Sequence, residues 1–296
     1  MNRPLVVIAC SFLIVASPVL AQSTGAPEPI DILVRCDDAG MSHAVNKGFE
    51  RLAESGLLFS ASLMVPCPWF PEAVEILGRY PHVSVGLHLT LNAEWKGMRW
   101  GPVLGPAAVP SLVDSLGYFF PSRALLMANG PKLDEVEGEL RAQIQRALRA
   151  GVKPDYVDYH MGAAVGTPEL RAIVEKLAAE FGLGISRYFG EQDADGVYRA
   201  LPEHKTDSLL TVLERLKPGV RNLLVFHISD PAAEMDALID LNVSGLPEMG
   251  RHRAGELNAL LSPKLWTEVA RRTLRLVTYR DLILVDGLSS MKSPVR

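Results

Sequence analysis

Ile30-Asp31-Ile32-Leu33-Val34-Arg35-Cys36-Asp37-Asp38 runs through Ala39-Gly40-Met41 into the segment Ser42 to Ser55, and the reading of this stretch decides the fold. Ile30 to Val34 is a short apolar run of strand character. From Ser42 to Ser55, Val45, Phe49 and Leu52 recur at helical spacing on one face, and Gly56 stops the helix. A strand leading into a helix is therefore the unit, and the unit recurs. Leu57 to Val65 and Val83 to Leu91 are the next strands, with a helix over 71–80 between them whose Pro71 suits a first turn. Asn92 to Gly130 holds many Gly and Pro residues and reads as a long excursion. Leu133, Val136, Leu140, Ile144 and Leu148 mark a strongly amphipathic helix over 132–150, ended by Gly151. Further strands are Tyr156 to His160, Gly184 to Arg187, Asn222 to Ile228 and Leu276 to Tyr279. Thr167-Pro168 and Ser262-Pro263 cap helices, and Asp207 to Leu216 is another. Such alternation predicts a parallel sheet. About seven units in one domain, residues 30–290, predict an α/β protein of the β/α (TIM-like) barrel type, closed or partly closed. The rival open doubly wound sheet lacks its glycine-rich loop after the first strand.

The ends and composition bound the rest. Met1-Asn2-Arg3 is a short basic start, Leu5 to Leu20 is nearly all apolar, and Val19-Leu20-Ala21 supplies small residues at cleavage spacing. Residues 1–21 thus read as a signal peptide, since the run is shorter than the ~20 residues a spanning helix needs. Residues 22–29 read as a flexible leader. The expected protein is exported, to the periplasm or beyond, with no membrane span after cleavage. A formal net charge of −4 gives no electrostatic reason to expect nucleic acid. Of three cysteines, Cys10 leaves with the signal, and Cys36 and Cys67 form no C-x-x-C pair. Both follow apolar runs, so a disulfide and two buried thiols stay open as readings.

Polar residues collect where the strands end. Cys36-Asp37-Asp38 closes the first strand, His88 lies late in the third, Asp158 and His160 end the fourth, and His227 follows Leu223-Leu224-Val225-Phe226. Asp158 and His160 are two apart and share a strand face. Catalytic residues of β/α barrels gather at the C-terminal ends of the strands. A lone histidine after an apolar run is more often a hydrogen-bonded structural residue. The weight lies in coincidence: three of the seven histidines fall at strand ends, while His43, His82, His204 and His252 fall in helix starts or loops. Two imidazoles and a carboxylate make a common metal shell with open positions for water.

These blocks resemble the YdjC-like carbohydrate deacetylases, which include chitooligosaccharide deacetylases. The resemblance runs through Cys36-Asp37-Asp38-Ala39-Gly40-Met41-Ser42 with Val45-Asn46-Lys47-Gly48, Ser60-Ala61-Ser62-Leu63-Met64-Val65, Val85-Gly86-Leu87-His88-Leu89-Thr90-Leu91 and Asp158-Tyr159-His160. Gly255-Glu256-Leu257 and Leu276 to Leu282 resemble the closing segment. It implies a deformed barrel that removes N-acetyl groups from amino sugars. It also implies Asp38, His88 and His160 as ligands of one divalent ion, Zn2+ or Mg2+, and Asp37 as general base. His227 matches a family histidine. Three positions depart from the family, all at the rim: Gly162 stands where another histidine is usual, Ile228-Ser229 where Pro-Gly is usual, and Ala39 where an aromatic is usual.

The chemistry is coherent on its own terms. A divalent ion polarises an acyl oxygen and lowers the pKa of its water from 15.7 toward ~7. Asp37 then takes the water's proton, and a protonated His227 gives one to the leaving amine. Successive strand side chains point in opposite directions, so Asp37 and Asp38 are expected to divide the work. Asp158 either orients His160 or caps the strand end. Arg187 either holds substrate or pairs with a carboxylate. The expected partner is a carbohydrate. The competing readings are an esterase or amidohydrolase with another acyl substrate, a glycosidase using Asp37 and Asp158, and a catalytically silent sugar-binding protein. The sugar, the metal and the oligomeric state, homo-oligomer included, are left open.

Overall fold

The structure, a computed structural model, describes residues 29–272 and 274–294. The signal segment, and the leader up to Glu28, lie outside the described residues. Eight parallel strands form one sheet: β1 Ile30–Ala39, β2 Ser60–Leu63, β3 Ser84–Leu89, β4 Tyr156–Tyr159, β5 Gly184–Ile185, β6 Gln192–Asp193, β7 Arg221–His227 and β8 Leu274–Val277. Their order is β5-β4-β3-β2-β1-β7-β6. One edge of β1 carries β7, from Asp31 to Asp37; the other is shared, with β8 along Ile30–Leu33 and β2 from Arg35 onward. Among the described residues no ladder joins β5 to β6, so the barrel is open along that seam. The expected single-domain, partly closed, deformed β/α barrel is what the chain forms.

The helices are α1 His43–Glu54, α2 Phe70–Gly78, α3 Arg123–Ala128, α4 Leu133–Arg149, α5 Pro168–Phe181, α6 Lys205–Arg215, α7 Ala233–Asp236, α8 Met249–Leu261, α9 Pro263–Arg271 and α10 Tyr279–Asp286. Local chemistry sets several ends. Ser42 Oγ accepts the Val45 N–H at the start of α1, and Thr167 does the same for Leu170 ahead of Pro168 in α5. Strand alternation then sorts the core. Ile32, Val34 and Cys36 of β1 face outward into the layer shared with helix residues such as Phe49, Leu52, Leu140 and Ile144. Leu33 faces inward, with Tyr156, Leu223, Val277 and Tyr279, and fills the barrel floor. Gly86 is required there: a Cβ would stand 2.3 Å from the ring of Tyr156.

Three differences from the sequence reading have physical causes. The last strand is Leu274–Val277, and Tyr279 instead opens α10, because Thr278 and Asp281 form a capping box. The helix α8 carried no apolar stripe, since it buries His252, Arg253 and Glu256 beside Met249 and Leu257. The two-residue β6 is too short to read. Cys36 and Cys67 are free buried thiols, and burial pushes both pKa values up. No helix among the described residues is long and apolar enough to cross a membrane.

Candidate metal and catalytic centre

The inward positions of each strand change character on the way up. On β1 they are Leu33, Arg35 and Asp37; on β4, Tyr156 and Asp158; on β3, Gly86 and His88; on β7, Leu223, Val225 and His227. Strand register sets His88 beside Asp158, and Asp37 beside His227. An apolar floor thus gives way to a charged rim at the C-terminal ends, where barrels carry their chemistry.

Asp38 breaks the alternation. Its φ is +74°, and the β1–β2 register shifts between Cys36 and Ala39. This irregularity brings the second carboxylate into the same space as the first. Asp37 Oδ2 lies 4.0 Å and Asp38 Oδ1 3.5 Å from His88 Nε2. Simple pleat alternation would have separated them, so that expectation is corrected: both aspartates reach one cavity.

Asp38 Oδ1 also lies 3.3 Å from His160 Nδ1. His160 opens a turn over 160–165 in which Met161 and Gly162 have φ of +48° and +70°. Asp38, His88 and His160 are all buried, and their ligating atoms lie within 4.8 Å of one another. The outer nitrogen of each imidazole is occupied: His88 Nδ1 lies 2.8 Å from Asp158 Oδ1, and His160 Nε2 lies 2.9 Å from Glu94 Oε2. Arg253 Nη2 donates to Asp38 Oδ2 (2.7 Å), and Oδ1 has no hydrogen-bond partner among the described residues. Imidazoles oriented by carboxylates are the usual support of metal-ligating histidines. An orphaned carboxylate oxygen facing two such rings fits a divalent cation, so this group could hold a metal ion. Asp37, His88 and Asp158 form an overlapping group. Its carboxylates are committed elsewhere: Arg35 donates to both oxygens of Asp37 at 2.7 Å each, and Asp158 Oδ2 is bonded to Ser62 (2.8 Å) and paired with Arg35 (3.0 Å).

The charges follow from these partners. Burial alone would raise the Asp37 pKa, but Arg35 and then His88 bring it down to about 2. Burial likewise opposes ionisation of Asp38, and Arg253 with His160 holds it well below the carboxylate range. Burial disfavours a charged His160, yet Glu94 and Asp38 outweigh it and push the pKa up to about 10.

The remaining candidates are placed as follows. Asp158 serves His88, and the partner of His160 is Glu94, so of the two readings open for Asp158 the one in which it orients His160 is corrected. Asp158 is enclosed and, unlike Asp37, does not border the cavity, which argues against it as the second carboxyl of a glycosidase. Arg187 pairs with Asp193 (2.7 Å) and borders the cavity. His227 also borders it; Tyr198 lies against its ring at 5.4 Å between centroids, and its Nδ1 has no hydrogen-bond partner among the described residues. The cavity, about 340 Å³, is walled further by Trp95, Tyr198 and Asp240. Sequence reading missed Arg35, Glu94 and Arg253. Arg35 was legible as a charge two residues before Asp37 in an apolar strand. Glu94 lies in the Gly- and Pro-bearing excursion and Arg253 in α8, and neither carried a pattern.

The family described as YdjC-like protein matches this chain over residues 31–271. A carbohydrate deacetylase of Brevibacillus brevis is 30% identical over 261 residues, spanning 85% of this chain and 99% of that one. A carbohydrate deacetylase of Geobacillus stearothermophilus is 28% identical over 263 residues, 84% and 96% of the two chains. A crystal structure from Enterococcus faecalis, described as that of a candidate cellobiose-phosphate cleavage protein, superposes with a TM-score of 0.70 over 86% of this chain and 99% of that one. At 22% identity that likeness speaks to the fold alone.

Proposed function

The chain belongs to the YdjC-like protein family, and from that premise we propose that it is a metal-dependent carbohydrate deacetylase that hydrolyses the N-acetyl amide of an amino sugar. The observation that carries the reading is the buried Asp38–His88–His160 group, with Asp158 and Glu94 behind its imidazoles. Asp38 Oδ1, His88 Nε2 and His160 Nδ1 are the atoms that would hold a divalent ion, zinc or magnesium. Such an ion supplies Lewis acidity toward an acyl oxygen and acidifies water. Asp37, ionised and steadied by Arg35, accepts the proton of the attacking water. His227, on the neighbouring strand end, delivers a proton to the departing amine nitrogen. Tyr198, exposed at the cavity wall, offers an aromatic face for the sugar ring.

The test is acetate release from a panel of N-acetylated amino sugars and acetyl esters, with metal-loaded and chelated protein side by side. Metal-dependent release from the amides supports the reading. Release from esters alone makes the chain an esterase, and binding of sugars without release makes it a silent sugar-binding protein. Export is part of the proposal: protein recovered outside the cytoplasm should begin near Gln22, and an intact Met1 on soluble cytoplasmic protein would refute it.

A further inference from the structure

β7 loses one neighbour before it reaches the site. β6 pairs with it only at Asn222 and Leu223, and the last link is Ala194 N–H to Leu223 O (2.8 Å). Above that point β7 has β1 on one side and, among the described residues, no strand partner on the other. An exposed row of strand donors needs acceptors from elsewhere. The His227 N–H finds one in Glu256 Oε2 of α8, at 2.7 Å. The other oxygen of Glu256 accepts from Lys205 Nζ (2.9 Å), and Lys205 also donates to the carbonyls of Val197 (3.0 Å) and Tyr198 (2.6 Å). Three ammonium donors meet three acceptors, and both carboxylate oxygens are taken. Both side chains are 1% exposed. Gly255 permits the approach, because a Cβ there would stand 2.6 Å from Pro202 O and 3.0 Å from Lys205 Cγ.

A buried ion pair is weak evidence for stability, since a well-packed apolar pair often does as well. What this pair does have is reach. One end holds the segment that carries Tyr198, the other the strand end that carries His227, and both of those residues border the cavity. Neither Lys205 nor Glu256 is among the residues that border it.

We infer that Lys205 and Glu256 are a positioning pair that fixes Tyr198 and His227 relative to each other across the gap above the short β6–β7 ladder, and so sets the wall and the proton donor of the reaction. The kinetic part rests on the deacetylase reading; the structural part does not. Paired substitutions test it without leaving a lone buried charge. Lys205→Met/Glu256→Gln keeps an amide oxygen for the His227 N–H and releases only the Tyr198 segment. Lys205→Met/Glu256→Met releases both. With metal content and folding equal to wild type, the Gln form should raise KM several-fold with a smaller fall in kcat. The double Met form should lose a further roughly 10- to 100-fold in kcat, the scale of a displaced catalytic group. Hydrogen exchange at the His227 amide should stay slow in the Gln form and become fast in the double Met form. Wild-type KM and kcat in both variants, or unchanged exchange in the double Met form, would overturn the inference. If wild-type protein releases no acetate from an N-acetylated amino-sugar oligomer, the deacetylase reading fails, and the exchange measurement alone decides the pair.

Discussion

Asp37 and Asp38 carry the same side chain on adjacent residues, yet different cations claim them. Arg35 grips both oxygens of Asp37, whereas Arg253 takes one oxygen of Asp38 and leaves the other to two imidazoles. A carboxylate with one free oxygen between two rings suits ligation; one held ionised beside the cavity, with a second lone pair left on each oxygen, can still accept a proton. Asp38→Asn should therefore lose most of its metal, because a neutral amide is a poor ligand for a divalent ion. Asp37→Asn should keep the metal and drop kcat by roughly 10²–10⁴, the usual worth of a general base. Elemental analysis and acetate release on both variants separate the roles, and an Asp37→Asn enzyme of full activity would show that Asp37 only steadies the strand end. Glu94 adds a second test, because it holds the outer nitrogen of His160. Glu94→Gln should weaken metal binding about 10- to 100-fold, as loss of an orienting carboxylate commonly does, read by competition with a chromogenic chelator. Equal affinity in the two proteins would mean that Glu94 is a bystander.

At the scale of elements, Gly86 and Tyr156 show how the barrel interior is filled. The Tyr156 ring occupies the space where a Cβ at residue 86 would stand, 2.3 Å away, and it rests on Tyr279 with centroids 4.1 Å apart. Gly86→Ala should lower stability by roughly 1–3 kcal/mol, the range for overpacking a close-packed core, and Gly86→Ala/Tyr156→Leu should recover part of it in denaturant titrations. Recovery absent in the double variant would place the strain in the backbone of β3 instead. The same contrast explains what was legible in the sequence. β1, β3, β4 and β7 announce themselves as apolar runs with a polar end, and α1, α4 and α5 as apolar stripes with caps or stops, so the strand-end residues Asp37, Asp38, His88, Asp158, His160 and His227 could be picked out. The irregularity at Asp38 could not, because a +74° φ on a non-glycine residue is imposed by tertiary contacts. Nor could α8, which buries charge where a stripe would bury carbon, and so Arg253 and Glu256 stayed hidden. Partner choice was illegible for the same reason. Asp158 is two residues from His160, but the ladder places it beside His88 on the next strand.

For the molecule as a whole, the candidate ligands come from β1, β3 and the turn that follows β4, on the paired side of the sheet and away from the seam between β5 and β6. β1 and β3 already share ladders with β2, and β4 with β3, so an ion there would tie together ends whose lower parts are fixed by backbone bonds. Binding to the folded state alone stabilises it by mass action, about 2.7 kcal/mol when free ion stands at a hundred times its dissociation constant. For a domain of this size that corresponds to a rise in Tm of roughly 5 °C or somewhat more. Chelation should therefore lower the Tm of wild-type protein by about that amount, and one equivalent of zinc or magnesium in excess of chelator should restore it. Asp38→Asn and His88→Ala should melt at one temperature whether chelated or loaded, since neither retains the complete set of ligands. Asp37→Asn should still respond, because it keeps that set. A wild-type Tm indifferent to chelator and to added metal, measured on protein that elemental analysis shows to have been stripped and reloaded, would remove the metal centre from the reading while leaving the barrel and its cavity in place. A response shared by Asp38→Asn would put the ion elsewhere, and the overlapping Asp37, His88 and Asp158 group is where it would then be sought.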